Sequence, residues 1–182
     1  ITEQMVEHLK KGCVVTDLGS VKCSVIKDVE PLTLKAGVDF VPSHPIAGGE
    51  NSGFESSKAN LFEGKFCVVT PTKNTPLKAQ TKICKLWETL GAKVEVRDPE
   101  EHDRLYAATS HLPHVLAYAL LNTLGEMKTK QNEEYLSKGG NGLIDVVRLG
   151  ASEPNMWRDI CLSNKEFILE LLKEYQIALD SF

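Results

Sequence analysis

Four short motifs in this chain carry side chains that could exchange protons or bind an anion. The first is S-H-P-I-A-G-G-E, in which His44 is followed six residues later by Glu50. Histidine is the side chain best suited to exchanging a proton near neutral pH. The motif therefore permits a general base at His44, although a loop histidine that only bonds backbone groups would show the same pattern.

The second motif, T-D-L-G-S, places Gly19 and Ser20 directly after a short apolar run. Glycine allows a ligand or another backbone segment to approach closely. A serine hydroxyl can both donate and accept a hydrogen bond. The motif is thus typical of a ligand-facing turn.

The third motif is S-H-L-P-H, with Ser110, His111 and His114. The two histidines are three residues apart, which puts them on neighbouring positions of one helix face. A zinc site would need further ligands, and no fitting local pattern supplies them, so we predict no metal. An anion or hydroxyl contact and a purely structural pair of histidines both remain open.

The fourth motif surrounds Arg148, which follows two valines. Its planar guanidinium suits a carboxylate, and burying it without such a partner would be costly. Asp145 is three residues earlier, so a structural helix pair is the alternative. Taken together, the four motifs indicate a pocket for a small carboxylate substrate that bears a hydroxyl.

The elements that must position these motifs change in character near residue 98. Up to that point apolar strands alternate with helices, the helix over 22–36 being interrupted by Pro31. This pattern predicts an α/β fold with a mostly parallel sheet, with His44 just past the end of the second strand. From Pro99 onward we predict only helices, the last running unbroken over 153–179. We therefore predict part of an α/β sheet domain at 1–98 followed by an all-α domain at 99–182.

Composition excludes several classes of function. The 182 residues have a net charge of −4, which disfavours a nucleic-acid surface. The five cysteines show no C-x-x-C spacing, which indicates reduced thiols in a cytoplasmic protein. No apolar run is long enough for a membrane helix, and no signal peptide is recognised. The sequence begins at Ile1, inside a predicted helix, so we expect that an upstream segment is missing.

Six ordered segments resemble the prephenate dehydrogenases, the TyrA family, which includes the arogenate dehydrogenases. They are VTDLGSVK, HPIAGGENSG, LFEGKFCVVTP, LWETLGA, TSHLPHVLAYAL and NMWRDICLSNKE. The resemblance implies NAD(P)-dependent oxidative decarboxylation of prephenate to 4-hydroxyphenylpyruvate in tyrosine biosynthesis. It also implies that the sheet domain at 1–98 is part of a Rossmann-like nucleotide-binding domain, and that a homodimer forms through the helical domain at 99–182.

The resemblance further implies a role for individual residues. His44 would be the base at the ring hydroxyl, and Ser20 would assist at that hydroxyl and, with Gly19, contact the nicotinamide. The remaining residues would bind substrate or line the entrance: Ser110, His111, His114, Arg148, Glu50 and Asp145.

Some positions depart from the family pattern. Gly49 and Val147 replace residues that often carry a hydroxyl, and no G-x-G-x-x-G pyrophosphate motif occurs, so we expect poor NAD binding by this chain alone. NAD and NADP are not distinguished, and His114 favours prephenate over arogenate. An arogenate dehydrogenase, another β-hydroxyacid-type dehydrogenase, and a non-catalytic dimerising domain remain alternatives.

Overall fold

The computed structural model describes residues 1–48, 53–130 and 133–182. The chain divides into two compact units, Ile1–Arg104 and Leu105–Phe182. Glu50 and Gly49, both singled out from the sequence, lie outside the described residues.

The first unit contains two small sheets that meet in one extended segment, residues 39–45. The strands are β1 Val14–Val15, β2 Asp39–Phe40, β3 Ser43–Pro45, β4 Phe66–Val69 and β5 Lys93–Val96. Strands β1 and β2 are parallel, as are β4 and β5. The Val41 amide donates to the Val15 carbonyl (2.9 Å), and the Thr70 amide donates to the Pro42 carbonyl (3.0 Å). The segment thus pairs first with β1 and then with β4.

The sheet is less parallel than the sequence predicted, and His44 lies inside a strand instead of after one. Strand β3 runs antiparallel to β4, with His44 opposite Val68. Pro42 explains the change of partner, because it has no amide with which to continue the pairing to β1. Its carbonyl accepts from Thr70, the residue directly after β4, and the next three residues form β3.

The helices of the first unit are α1 Thr2–Val6, α2 Lys22–Ala36, α3 Leu77–Thr89 and the first residues of α4 Pro99–Tyr106. The predicted interruption of α2 at Pro31 is wrong: the helix is continuous. Pro31 is exposed, so a carbonyl that loses its amide donor there can bond water. The core forms where Ile83 and Trp87 of α3 pack against Val41 and Val69 of the sheets.

The second unit is helical, as predicted, with one difference. After α4 a π-helical turn, Ala107–His111, leads into α5 Leu112–Gly125, and α6 Asn141–Gly150, α7 Pro154–Ser163 and α8 Lys165–Asp180 follow. The single long final helix expected from the sequence is wrong, because α7 and α8 are separated at Asn164. Its backbone leaves the helical region (φ −120°, ψ 25°), and its side chain is buried against His111.

Helices α5 and α6 pack closely where α6 ends. A Cβ atom added to Gly150 would lie 2.3 Å from Cδ1 of Leu121, so this position requires glycine or a shift of Leu121. Among the described residues, no helix combines the length and the apolar character needed to cross a membrane.

Candidate functional site

Ser43, the residue before His44, forms hydrogen bonds through its hydroxyl, its amide and its carbonyl. It is fully buried, and its hydroxyl donates to the Asp17 carbonyl (2.7 Å) and receives the indole N–H of Trp87 (3.2 Å). Its amide donates to Oδ1 of Asp17 (3.1 Å). Hydrogen bonds of its amide and its hydroxyl therefore hold the backbone that leads into His44.

Lys22 connects the loop after β1 to Ser43. Its ammonium group is fully buried, forms an ion pair with Asp17, and donates to the Ser43 carbonyl (2.7 Å). Burial lowers the pKa of Lys22, and the attraction and hydrogen bond of Asp17 offset this only in part. The loop that carries Gly19 and Ser20 is in this way fixed relative to the strand that carries His44.

His44 itself is hydrogen bonded to a second histidine from α4. Its Nδ1 lies 2.9 Å from Nε2 of His102, and the two rings meet edge to face with centroids 5.1 Å apart. His102 is fully buried, and its Nδ1 lies 2.8 Å from Oδ1 of Asp103. The three side chains form a line from a buried carboxylate to the half-buried His44.

Asp103 also holds the start of α2. Its carboxylate accepts the backbone amides of Lys22 (2.7 Å) and Cys23 (2.8 Å). Burial would raise the pKa of Asp103, but the hydrogen bonds from His102 and these two amides bring it below its usual value. Asp103 is therefore a carboxylate, and its negative charge suits the positive end of the helix.

Gly19 and Ser20 lie in the turn between β1 and α2, as the sequence indicated. The Gly19 amide donates to Oδ2 of Asp17 (2.9 Å), and an added Cβ would lie 3.1 Å from that oxygen. Close approach within the chain itself thus accounts for a glycine at this position. Ser20 is half-buried at the same turn.

The second unit brings Ser110, His111 and His114 together on the π-helical turn and the start of α5. The Nδ1 of His114 donates to the Ser110 carbonyl (2.8 Å), and its ring stacks on Trp157 with centroids 3.6 Å apart and planes 16° apart. His111 is buried, and its Nδ1 lies 3.0 Å from Nδ2 of Asn164. The motif S-H-L-P-H is therefore held in place by side chains of α7 and of the break that follows it.

His114 is kept neutral near pH 7. Burial lowers its pKa, the bond to the Ser110 carbonyl raises it, and the positive charge of Arg148 lowers it again. Arg148 and Asp145 both lie on α6 and are exposed. The burial that the sequence suggested for Arg148 is not observed in this unit.

Several residues of the two clusters were not singled out from the sequence: Lys22, Ser43, His102, Asp103, Trp157 and Asn164. His102 and Asp103 occur in the charged run E-E-H-D-R, which is typical of a solvated helix face. A signal was nevertheless present, since Tyr106 and Ala107 follow His102 and Asp103 at a spacing of four. That spacing predicts that all four share one buried face of the helix.

Two family models match this chain. The model described as "Prephenate dehydrogenase, nucleotide-binding domain" matches residues 1–96, and the model described as "Prephenate dehydrogenase, dimerization domain" matches residues 98–182. The chain belongs to the prephenate dehydrogenase family. The resemblance seen in the six ordered motifs, and the predicted fold class of a Rossmann-like unit followed by a helical dimerisation domain, are thereby confirmed.

Individual members of the prephenate dehydrogenase family are similar over most of the chain. Cyclohexadienyl dehydrogenase of Zymomonas mobilis is 37% identical over 175 residues, which cover 96% of this chain and 59% of that protein. Prephenate dehydrogenase of Bacillus subtilis is 34% identical over 168 residues, which cover 91% of this chain and 44% of that protein. This chain therefore spans about half the length of these relatives.

Solved structures of the family superpose closely. The crystal structure of prephenate dehydrogenase from Aquifex aeolicus in complex with hydroxyphenyl propionate and NAD+ has a TM-score of 0.91 and 39% identity. The match covers 99% of this chain and 62% of that one. The crystal structure of Synechocystis arogenate dehydrogenase has a TM-score of 0.81 and 28% identity, and the match covers 99% of this chain and 64% of that chain.

Proposed function

We propose that the protein catalyses the NAD(P)-dependent oxidative decarboxylation of prephenate to 4-hydroxyphenylpyruvate, with His44 as the base. The observation that carries the proposal is the His44 ring, which is held through Nδ1 by a bond of 2.9 Å to a fully buried partner. The bond at Nδ1 fixes the orientation of the His44 ring, and Nε2 is the candidate for receiving the proton of the substrate hydroxyl. The names of the similar proteins in the prephenate dehydrogenase family support the choice of substrate.

The reaction needs a base because a hydride leaves the carbon that bears the hydroxyl. If His44 accepts the hydroxyl proton as the hydride departs, the new carbonyl never carries a full positive charge. General-base catalysis of this kind typically contributes about 10²–10⁴-fold. Carbon dioxide is then lost as the ring becomes aromatic, so the protein mainly has to orient the ring and hold the carboxylates.

The turn at Gly19 and Ser20 fits the nicotinamide end of NAD or NADP. It follows a parallel strand, where ligands of open α/β sheets bind, and it presents a hydroxyl beside a residue with no side chain. When bound, the nicotinamide accepts the hydride. We propose that Ser20 hydrogen bonds both the substrate hydroxyl and the carboxamide of the ring. The motif G-x-G-x-x-G, which would hold the pyrophosphate, does not occur in these residues.

In the second unit we propose that Ser110, His111 and His114 contact substrate and that Arg148 binds a carboxylate. The exposed guanidinium of Arg148 can form paired hydrogen bonds to a carboxylate. The stack of His114 on Trp157 fixes the imidazole plane and leaves Nε2, the nitrogen without a proton, to accept a hydrogen bond. Asp145, and Glu50 from outside the described residues, are proposed to lie at the entrance.

We propose a homodimer that forms through the helical unit. Large apolar side chains are exposed there on three helices, including Ile144 (61%), Leu162 (64%) and Ile177 (63%). Surface of this kind marks an interface when it is contiguous, and the family model over this unit is described as a dimerization domain. Sedimentation equilibrium of the chain should give twice the monomer mass, and Ile177→Glu should weaken the association. All five cysteines are free thiols, which supports a cytoplasmic location.

A panel of substrates and cofactors tests the proposed activity. Prephenate, arogenate and a simple β-hydroxyacid are each supplied with NAD or NADP, and reduced nicotinamide and 4-hydroxyphenylpyruvate are measured. The assay uses this chain and the chain joined to a βαβ unit that carries G-x-G-x-x-G. Turnover of prephenate with release of carbon dioxide supports the proposal. Exclusive turnover of arogenate or of the hydroxyacid would replace it with one of those activities, and no turnover in either form would favour a non-catalytic dimerising domain.

A further inference from the structure

We propose that His102 and Asp103 are positioning residues that set the tautomer of His44 and take up the positive charge it acquires. The inference rests on the proposed function in one respect, namely that His44 is the base. The geometry that carries it is the unbroken line of short contacts from Asp103 to His102 and on to His44.

The direction of each hydrogen bond follows from the charge state of Asp103. Asp103 is a carboxylate, so it can only accept, and Nδ1 of His102 must carry the proton in their 2.8 Å contact. We infer that His102 is neutral before the reaction, so that its Nε2 carries no proton and accepts from Nδ1–H of His44 at 2.9 Å. His44 is consequently left with its proton on Nδ1 and with a lone pair on Nε2, the form that a base requires.

Burial makes this assignment rigid. His102 and Asp103 are 0% and 1% exposed, so water does not compete for either contact. Asp103 is held on its other side by the Lys22 and Cys23 amides, at 2.7 and 2.8 Å, and the carboxylate cannot turn away without uncapping α2. The Asp103 carboxylate thus holds helix α2 directly and the ring of His44 through His102.

The hydrogen bond from His44 to His102 also offers a path for the positive charge that His44 acquires. When the substrate hydroxyl proton moves to Nε2 of His44, the Nδ1 proton can move to Nε2 of His102. His44 is then neutral again, and His102 is an imidazolium beside the Asp103 carboxylate. The number of protons is conserved, and one positive charge moves from His44 to a buried ion pair. A buried carboxylate that orients a catalytic imidazole in this way contributes up to about 10⁴-fold in kcat.

The tautomer can be read directly by nitrogen NMR on protein labelled with ¹⁵N-histidine. The chain has only five histidines, so His44→Asn and His102→Asn suffice to assign these two signals. We expect His44 and His102 to be neutral and protonated on Nδ1. A proton on Nε2 of His44 in the unmodified protein would overturn the inference.

Two substitutions separate the contacts of His102. Asn at this position can donate to Asp103 but is too short to reach His44, whereas Gln can place its carbonyl near the Nε2 position and accept from His44. We expect His102→Asn to release His44 to the Nε2–H form and His102→Gln to restore Nδ1–H. An unchanged His44 tautomer in His102→Asn would overturn the inference. Trp87 fluorescence and the backbone amide spectrum verify that both variants are folded.

Turnover in the active form of the protein then separates the inference from the proposed function. His102→Asn should lower kcat by about 10²–10⁴-fold with little change in KM, and His102→Gln should recover part of that loss. Normal kcat in His102→Asn overturns the positioning role even if His44 is the base. Absence of prephenate turnover both in this chain and in the chain joined to the βαβ unit, with the expected tautomers, rejects the proposed function and leaves the hydrogen bonds among His44, His102 and Asp103 intact.

Discussion

Replacing Lys22 with methionine should destabilise the first unit strongly. The substitution keeps the length of the buried chain but removes the ion pair to Asp17 and the bond to the Ser43 carbonyl. Removing one partner of a buried pair typically costs about 3–5 kcal/mol, because the other charge is left without compensation. Domains are commonly stable by only about 5–15 kcal/mol, so a large part of the stability would be lost.

The pKa of Lys22 predicts the outcome of a double substitution. That pKa is lowered because burial outweighs the attraction of Asp17, so the pair as a whole adds little to stability. Removing both charges in Lys22→Met/Asp17→Asn should therefore recover part of the stability lost in Lys22→Met, because no unpaired buried charge remains. Lys27→Met, an exposed position on the same helix, is the matched control and should stay within about 0.5 kcal/mol of the parent.

The chain offers a local reporter for this measurement. It has two tryptophans, Trp87 in the first unit and Trp157 in the second. In a Trp157→Phe background, the fluorescence of Trp87 follows urea unfolding of the unit that contains Lys22, and its indole bonds Ser43 directly. Equal stability of Lys22→Met and the parent, or a double variant less stable than Lys22→Met, would show that the buried ion pair does not act in this way.

Two further predictions concern titrating groups near the same helix. Cys23 is exposed as a residue, but its thiol is partly buried. This burial and the negative charge of Asp103 raise the pKa of the thiol from 9.0 to about 12. The thiolate fraction of Cys23 at pH 8 should therefore be about 10³-fold below that of an ordinary thiol. Iodoacetamide followed by peptide mapping should therefore modify it slowly in the native protein and rapidly in urea, and fast native modification would contradict this. Asp103 has a pKa below the usual 3.8, so its stabilisation is complete above that value and is lost as the pH falls through the lower pKa. In urea titrations, the stability difference between the parent and Asp103→Asn should shrink below about pH 4, and a constant difference would exclude Asp103 as the cause.

The order of strands and helices in the first unit could be predicted from sequence because it depends on local patterns. Apolar strands and capped helices alternate along the chain, and the motif around His44 is short and contiguous. The antiparallel β3 could not be predicted in the same way. The pairing of β3 depends on which residue donates its amide to the Pro42 carbonyl. That residue is Thr70, which is 28 residues further along the chain.

The partners of the site residues were missed for a related reason. Asp103 bonds the amides of Lys22 and Cys23 across 81 and 80 residues, and Asn164 contacts His111 across 53. Such bonds are formed only once the elements pack, so no local spacing reveals them. Ser43 illustrates this: it was not singled out from the sequence, yet it is fully buried and bonds Asp17 and Trp87.

The central claim, that His44 is the base of an oxidative decarboxylation, is tested most directly by His44→Asn in the form of the protein that turns over prephenate. Reduced nicotinamide is followed at saturating and limiting prephenate, so that kcat and KM are obtained separately. His8→Asn, the same change at an exposed histidine, is the control. We expect a fall in kcat of about 10²–10⁴-fold with little change in KM for His44→Asn and no effect for His8→Asn. An unchanged kcat, or a loss confined to KM, would contradict it.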